Sequence, residues 1–434
     1  MRYVLPLFFC LFMFALPITA EDHPAVSQPS DTNIQLVDSA QATAATESDS
    51  GFIYPMSAER KAKLISYSKF KNIWRFVSFL IEIIIMAILL YTGLSAKFRT
   101  WAESISKKKI FAYLFYILFF SLFIFVVNLP FNYYREFVIE HNYGFSNQTF
   151  GQWFTEDLKS LGITFILGFI VISVLYWLIN KYKRWWLWFA IGSLPFMVLM
   201  IIVFPVLISP MFNKFEPLKD RHLADEMTQL AARAGIYNPD IFEVDASKQS
   251  NKLNAYFTGM FGTKRIVLTD NIIKAFTVDE LKFVMGHEIG HYKMNHIWKG
   301  LLLAILIIFV ALFLLDKSLH RIIKRNNRRF GFSKLGDMAS LPLIWLFVTI
   351  FGFVTQPINN GVSRIMEYHA DEYGLKLSRV TAETAVTAFD KLSVYNLSDP
   401  EPPAIIEFWF YDHPSLANRI DNIKKSYNEL ETHS

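Results

Sequence analysis

The strongest constraint on this chain is a series of apolar segments long enough to cross a membrane. A helix needs about twenty mostly apolar residues to span the hydrocarbon layer of a bilayer. Six such segments follow the N-terminal region, the last two being short for a full span: residues 76–94, 110–127, 161–179, 185–208, 300–315 and 341–353. The chain is therefore predicted to be an α-helical multi-pass membrane protein, with membrane helices 1–4 in residues 71–208 and helices 5–6 in residues 300–356.

The composition agrees with a membrane protein. The chain is 53% hydrophobic and contains 42 Phe and 10 Trp, which is more apolar and more aromatic than an ordinary soluble chain. The net charge is only +5, so we expect a lipid bilayer and not nucleic acid as a partner. Cys10 is the single cysteine, which excludes a disulfide, a cysteine-ligated metal and a cysteine nucleophile from the rest of the chain.

The N-terminal region has the pattern of a secretory signal. Residues 1–20 contain Arg2, then an apolar run, and end at Ala20, a residue suited to the position before a cleavage site. The alternative is an uncleaved first membrane helix. Residues 21–51 are rich in Ser, Thr, Ala, Asp and Gln, so residues 21–70 are expected to form a polar tail and a juxtamembrane segment.

Basic residues concentrate in the loops after the first, third and fifth apolar segments, whereas the loop at residues 132–160 has more acidic than basic side chains. The basic residues of these loops are Lys97, Arg99, Lys107, Lys108, Lys109, Lys181, Lys183, Arg184, Lys317, Arg321, Lys324, Arg325, Arg328, Arg329 and Lys334. Loops rich in Lys and Arg stay in the cytoplasm. Residues 209–299 and the tail after residue 355 are therefore expected on the opposite side.

The polar segment at residues 209–299 has the pattern of a small α+β domain. Residues 220–234 place apolar side chains on one helical face, and residues 241–244, 254–258 and 265–268 are short strand-like runs. Thr277 and Glu280 are spaced as a capping box that opens another helix.

That helix carries the motif His287-Glu288-Ile289-Gly290-His291. Two histidines four residues apart lie one turn apart on one face, so both imidazoles can bind one metal ion. Glu288 can act as general base on a water at the metal, and Gly286 and Gly290 leave room for another element or a substrate. The pattern predicts one catalytic Zn²⁺ per chain; the alternative is an amphipathic helix with two surface histidines.

A catalytic zinc site needs a third protein ligand, and Glu367 is the choice among the remaining residues. Asp371 is four residues further on a predicted helix in residues 357–434, so it shares the face of Glu367 and can accept a hydrogen bond from His287 or His291. The alternative is a solvated helix face of mixed charge. His369 is a competing ligand on another face, and His296 is expected to be a packing or interfacial residue.

These motifs resemble the gluzincin peptidases and, more widely, the integral-membrane type I CAAX prenyl protease family. The resemblance covers about residues 67–419. Besides the metal motifs, it rests on seven blocks: Tyr67-Ser68, Glu140-His141-Asn142-Tyr143-Gly144-Phe145, Asp157-Leu158-Lys159, the segment 208–218, the segment 254–259, the segment 290–296 and His413-Pro414.

The resemblance implies a helical cage in the membrane around a water-filled chamber, together with a small gluzincin-type zinc domain. It also implies that Asn254 and Ala255 bind the substrate backbone on a strand and that His413 stabilises the oxyanion. For His413 the alternative is a packing role before proline. Glu82 lies inside the first apolar segment and either faces the chamber or is a snorkelling or helix-packing residue.

The N-terminus and the basic loops depart from the eukaryotic members, whose zinc domain faces the cytosol. The departure favours a protease of the bacterial inner membrane whose zinc domain faces the periplasm, and it disfavours prenylated substrates. The expected activity is hydrolysis of a polypeptide substrate among membrane or exported proteins. The alternatives are a shorter type of bacterial membrane protease with the same chemistry and a catalytically silent membrane scaffold or transport-like protein.

Overall fold

The computed structural model describes residues 57–259 and 264–433, and most of these residues are helical. The signal-like segment and the polar stretch at residues 21–51 lie outside the described residues. The remainder forms a bundle of long apolar helices and a small α+β domain at one end of it.

Six helices within the described ranges are long and apolar enough to cross a membrane; five of them contain one predicted segment each, and the first helix covers all but the last three residues of the segment 76–94. They are α1 (Ala58–Tyr91), α3 (Lys109–Asn142), α4 (Phe150–Lys181), α5 (Trp185–Met211), α9 (His296–Phe330) and α10 (Leu341–Ser378). The predicted multi-pass helical fold is confirmed.

Helices α9 and α10 hold the two segments that were short for a span, yet they contain 35 and 38 residues. A helix of 38 residues is about 57 Å long, whereas the hydrocarbon layer is only about 30 Å thick. In α10 the apolar stretch is confined to the first part. The second part, which bears Glu367, projects beyond it and brings polar side chains to the α+β domain.

Glu82 of α1 packs against α10. Its carboxylate accepts hydrogen bonds from the indole of Trp345 and, at 3.1 Å, from the hydroxyl of Thr349. Both partners belong to the apolar part of α10, so the contact joins two spanning helices through a polar group. Of the two roles predicted for Glu82, helix packing is the one these hydrogen bonds support.

The α+β domain is built on a sheet with the strand order β1-β2-β4-β3, in which β2 and β4 are parallel and the other pairs are antiparallel. The strands are β1 (Phe215–Pro217), β2 (Asp240–Val244), β3 (Ala255–Thr258) and β4 (Arg265–Thr269). Strands β2, β3 and β4 match the predicted runs within one residue at each end. Strand β1, which has only three residues, had no periodicity to reveal it.

The other helices are α2 (Leu94–Ile105), α6 (Arg221–Arg233), α7 (Asp270–Ala275), α8 (Val278–Lys293), α11 (Ala382–Asn396), α12 (Ala404–Phe410) and α13 (Leu416–His433). The predicted capping box at the start of α8 is confirmed, because Thr277 and Glu280 each bond the other's backbone. One face of α8 is buried in the domain core through Leu281, Met285 and Ile289. The face that carries the two histidines of the metal motif therefore points away from this core.

Candidate metal centre

Helices α8 and α10 cross at a contact between glycines. A Cβ on Gly374 would lie 2.7 Å from the backbone nitrogen of His287, and a Cβ on Gly286 would lie 2.9 Å from the carbonyl oxygen of Gly374. Both distances are shorter than a real Cβ contact, so neither position accepts a side chain without movement of the backbone. A Cβ on Gly290 would meet Tyr373 at 3.2 Å. The predicted close approach at Gly286 and Gly290 is thus confirmed, and its partner is α10.

This crossing brings His287, His291 and Glu367 together as a possible metal site. The Nε2 atoms of the two histidines are 3.0 Å apart, and they lie 3.3 and 3.2 Å from the carboxylate oxygens of Glu367. A tetrahedral Zn²⁺ with ordinary bond lengths separates its ligand atoms by about 3.3–3.4 Å. The three side chains therefore fit a small tetrahedral ion. His369 is exposed on another face of α10 and is not in the group.

Asp371 and Arg419 hold the imidazole of His287 from behind. The Nδ1 atom of His287 lies 2.7 Å from Asp371 Oδ1, so Nδ1–H donates to the carboxylate and the Nε2 lone pair faces Glu367. Arg419 of α13 donates to both oxygens of Asp371, at 2.9 and 2.6 Å. Such support fixes the tautomer and orientation of a metal-binding histidine. The sequence analysis did not identify Arg419; its position six residues after His413 was the available signal.

His291 is supported by His296, which the sequence analysis expected to be a packing or interfacial residue. His296 is buried, and its Nδ1 lies 2.9 Å from Nδ1 of His291. The Nε2 atom of His291 is then left to face Glu367 and His287. Positive φ at Asn295 (57°) ends α8 and starts α9, and this sharp turn places the side chain of His296 beneath the motif. Spacing along a continuous helix could not show it.

Glu288 is buried beside the three candidate ligands. Burial raises the pKa of its carboxyl above the ordinary value, and the neighbouring His287 and His291 act in the opposite direction. A carboxylate whose pKa is raised by a water-poor site is a suitable general base.

His413 also reaches the site. Its Nε2 lies 3.5 Å from Glu367 Oε2, and its Nδ1 lies 2.9 Å from the carboxylate of Asp412. Burial lowers the pKa of His413, but Glu367 and Asp412 more than offset it and raise the pKa to about 10. An imidazolium at this position is a donor beside the candidate metal ligands.

The same carboxylates act on His287. Burial lowers its pKa, but Glu367 and Asp371 raise it to about 9 in the metal-free site. The carboxylates of Glu367 and Asp371 lie 3.5 and 2.6 Å from the guanidinium of Arg419, and the third carboxylate, Glu288, lies beside the same histidines. The excess of two negative charges is the balance that a divalent cation requires.

Asn254 and Ala255 lie at the start of β3, the outer strand of the sheet next to α8. Ala255 pairs with Leu268, and the carbonyl of Asn254 accepts hydrogen bonds from the backbone nitrogen and the hydroxyl of Thr269 at 3.2 and 2.8 Å. Among the described residues, β3 pairs with one neighbouring strand and is an edge strand of the sheet, the kind of strand to which an extended peptide can add.

The geometry agrees with the comparisons to known families. Residues 217–427 match the model of Peptidase family M48, and residues 48–214 match the CAAX prenyl protease N-terminal model, described as five membrane helices. The chain belongs to peptidase family M48. Membership confirms the resemblance to the type I CAAX prenyl protease family and makes the chain a membrane metalloprotease that acts on peptide bonds.

Individual relatives of this M48 peptidase match over most of their length. A Bacillus subtilis protein named "Uncharacterized metalloprotease YhfN" is 33% identical over 84% of this chain and 85% of its own length. CAAX prenyl protease 1 of Saccharomyces cerevisiae is 34% identical over 68% of each chain. The crystal structure of S. mikatae Ste24p superposes with a TM-score of 0.74 at 28% identity, covering 85% of this chain and 89% of that one.

Proposed function

We propose that this chain is a zinc endopeptidase that hydrolyses membrane or exported polypeptides at the metal centre of His287, His291 and Glu367. The observation that carries the proposal is the closeness of the three candidate ligands, whose nearest nitrogen and oxygen atoms lie 3.0–3.3 Å apart in each pair, with a buried carboxylate, Glu288, beside them. Two imidazole nitrogens and one carboxylate oxygen are a ligand set that zinc takes in catalytic sites.

The residues around the ligands have separable tasks. When bound, the ion supplies a Lewis acid that acidifies water and polarises a carbonyl. Glu288 accepts the proton of the attacking water and passes it to the leaving amine. The Nε2–H of His413 donates to the oxygen that gains negative charge as the carbonyl is attacked. Asp371, held by Arg419, keeps His287 in the tautomer whose Nε2 is free to bind.

The substrate is an extended polypeptide segment that adds to the outer edge of β3 at Asn254 and Ala255. The backbone of such a segment makes the same hydrogen bonds whatever its side chains are, so this contact selects for an unfolded or extended chain. Several relatives are named CAAX prenyl proteases; the substrate class proposed for this chain is the wider one of membrane and exported polypeptides.

The orientation proposed is one in which the metal centre faces the periplasm of a bacterial inner membrane. Its support is that the three basic loops meet at one end of the bundle. Arg99 donates to the carbonyl of Gly331 and pairs with Asp337, and the amide of Asn180 donates to the carbonyl of Gly336. All three loops therefore lie on one side, and their basic residues favour the cytoplasm.

The activity is tested with the substitution Glu288→Gln. This change keeps the shape of the side chain and the three ligands but removes the base, so we expect full zinc content and a loss of peptidase activity of about 100-fold or more. Metal analysis of the purified protein and a proteomic comparison of membranes containing either form would measure both. Substantial turnover by the variant would exclude Glu288 as the base.

The orientation is tested by cysteine labelling in a Cys10→Ser background. Gln229→Cys and Ser333→Cys introduce single exposed thiols on the α+β domain and in the basic loop. A membrane-impermeant maleimide should label Gln229→Cys in intact spheroplasts and Ser333→Cys only after permeabilisation. The reverse pattern would place the metal centre in the cytoplasm.

A further inference from the structure

A second cluster of buried polar side chains lies where the α+β domain meets the membrane bundle. The Nζ atom of Lys252 is 2.9 Å from Glu140 Oε2 and 2.9 Å from the hydroxyl of Tyr67, which donates to Glu140 Oε1 at 2.6 Å. The three residues are 2–7% exposed. None of them belongs to the metal centre.

The cluster joins three separate parts of the chain. Tyr67 belongs to the first spanning helix, α1, and Glu140 to the last turn of the next one, α3, while Lys252 belongs to the α+β domain. The loops beside it are also paired: Asn251 donates to the carbonyl of Gly144, and Asn147 donates to the carbonyl of Ser247. The junction is therefore a continuous interface between the bundle and the segment that leads into β3.

Lys252 is held at this place by its charge. A buried ammonium is costly unless it is paired and hydrogen-bonded, and here it has the carboxylate of Glu140, the hydroxyl of Tyr67 and the ring of Phe145, whose centroid is 4.6 Å away. Its ammonium is accordingly held by partners on α1, on α3 and in the loop after α3.

The segment after Lys252 leads directly to the outer strand. The side chain of Asn396 bonds both backbone groups of Leu253, accepting from its nitrogen at 2.8 Å and donating to its carbonyl at 3.2 Å. Asn254 and Ala255 follow, and β3 begins. Lys252 and Leu253 are thus clamped from outside the sheet immediately before the edge that faces a substrate.

We propose that Lys252 is a positioning residue for the substrate: the contacts of its ammonium with Glu140 and Tyr67 fix the height of the outer strand relative to the metal centre. The inference rests on the proposed function, because it assumes that a peptide pairs with β3. A peptide that pairs with β3 must place its scissile carbonyl at the metal, so a shift of the strand misaligns peptides but leaves the metal ligands in place.

The test compares two chelating inhibitors that differ in peptide backbone. A tripeptidyl hydroxamate binds the metal and pairs with β3, whereas acetohydroxamate binds the metal alone. In the full-length protein purified with its metal, we expect Lys252→Met to weaken the tripeptidyl hydroxamate by about 10- to 100-fold, the effect of a displacement of about 1 Å. The affinity for acetohydroxamate and the metal content should stay unchanged.

A matched control is Lys248→Met. Lys248 lies in the same segment and pairs with Asp245 at 3.0 Å, but its side chain is 43% exposed, so both inhibitors should bind as before. The double variant Lys252→Met, Glu140→Gln removes the unpaired charge that the single change leaves. Its thermal stability should recover while the affinity for the tripeptidyl hydroxamate stays low, because the tether is still missing.

Recovered peptide affinity in the double variant, or equal weakening of both inhibitors by Lys252→Met, would overturn the positioning role. If Lys252→Met does not accumulate, Tyr67→Phe carries the test, since it removes only the bridging hydroxyl. If the unaltered protein does not bind acetohydroxamate, the metal site itself is refuted, and the positioning role with it.

Discussion

Among the described residues, the junction cluster and the metal centre are two groups of buried charges that differ in how those charges balance. At the junction, Glu140 and Lys252 neutralise each other through direct contact. At the metal centre, the carboxylates of Glu288, Glu367 and Asp371 outnumber the single guanidinium of Arg419. The junction is complete without a ligand, whereas the metal centre must recruit positive charge.

The difference separates a structural joint from a ligand site. In the metal-free protein the deficit is met by protons, and this is why the pKa values of His287 and His413 rise to about 9 and about 10. Burying uncompensated charge costs much more than burying a matched pair. A buried cluster with unbalanced charge therefore serves to bind a ligand. A buried cluster with balanced charge serves to fix the position of the chain segments that it joins.

The largest effect that would test this contrast comes from removing one carboxylate from each cluster. Glu367→Ala should abolish zinc binding and activity, because it removes a ligand. Glu140→Ala should leave zinc binding in place and lower the free energy of unfolding by about 3–5 kcal/mol, since it strands the buried charge of Lys252. Metal analysis and thermal unfolding would measure both.

The contrast would fail if Glu140→Ala lost zinc as completely as Glu367→Ala, or if Glu367→Ala retained a full complement of metal. The second result would also move the third ligand to another residue. An intermediate case in which Glu140→Ala keeps zinc but weakens peptide affinity is what the positioning role of Lys252 requires.

A smaller effect is expected from Asp371, which touches a ligand but not the metal. Asp371→Ala should weaken zinc binding by about 10- to 100-fold without abolishing it, as is typical for the partner of a metal-binding histidine. Asp412→Ala is the matched control, because Asp412 is half exposed and contacts His413, which is not a proposed ligand. Competition with a zinc chelator would measure both, and equal losses would argue against a specific role of Asp371.

Over a single pH unit, the smallest expected effect is the change of zinc affinity with pH. Zinc must displace the proton of His287, whose pKa in the metal-free site is about 9, so the apparent affinity should rise about tenfold per pH unit and level off above pH 9. In the metal-free protein the same raised pKa contributes stability that is full below pH 6.5 and is lost as the pH rises through about 9. Asp371→Ala should move the plateau of zinc affinity to lower pH, because it removes an anion that raises this pKa. An unmoved plateau would contradict that cause.

Local patterns account for much of what could be predicted. Each of the features that could be predicted belongs to one continuous helix. They are the six apolar segments, the capping box of Thr277 and Glu280, and the four-residue spacings of His287 with His291 and of Glu367 with Asp371. Period and spacing are set by local backbone geometry, so they can be read without knowing what the helix contacts. The ends of α9 and α10 were not predicted, because the polar residues that extend both helices carry no membrane signal.

Contacts between distant segments depended on the tertiary structure. The residue types suggested Glu367 as the third ligand. Nothing in the sequence shows the close approach of α10 to α8 at Gly374 that brings Glu367 to the two histidines. The roles of Arg419, His296 and Lys252 were not predicted, because each acts on a partner brought near by a turn or by packing of another element. The sequence by itself determined the helices and the chemistry of the ligand set. The tertiary structure decided which buried charges are balanced by their neighbours and which are left to a metal ion, because charge balance depends on distances in space and not along the chain.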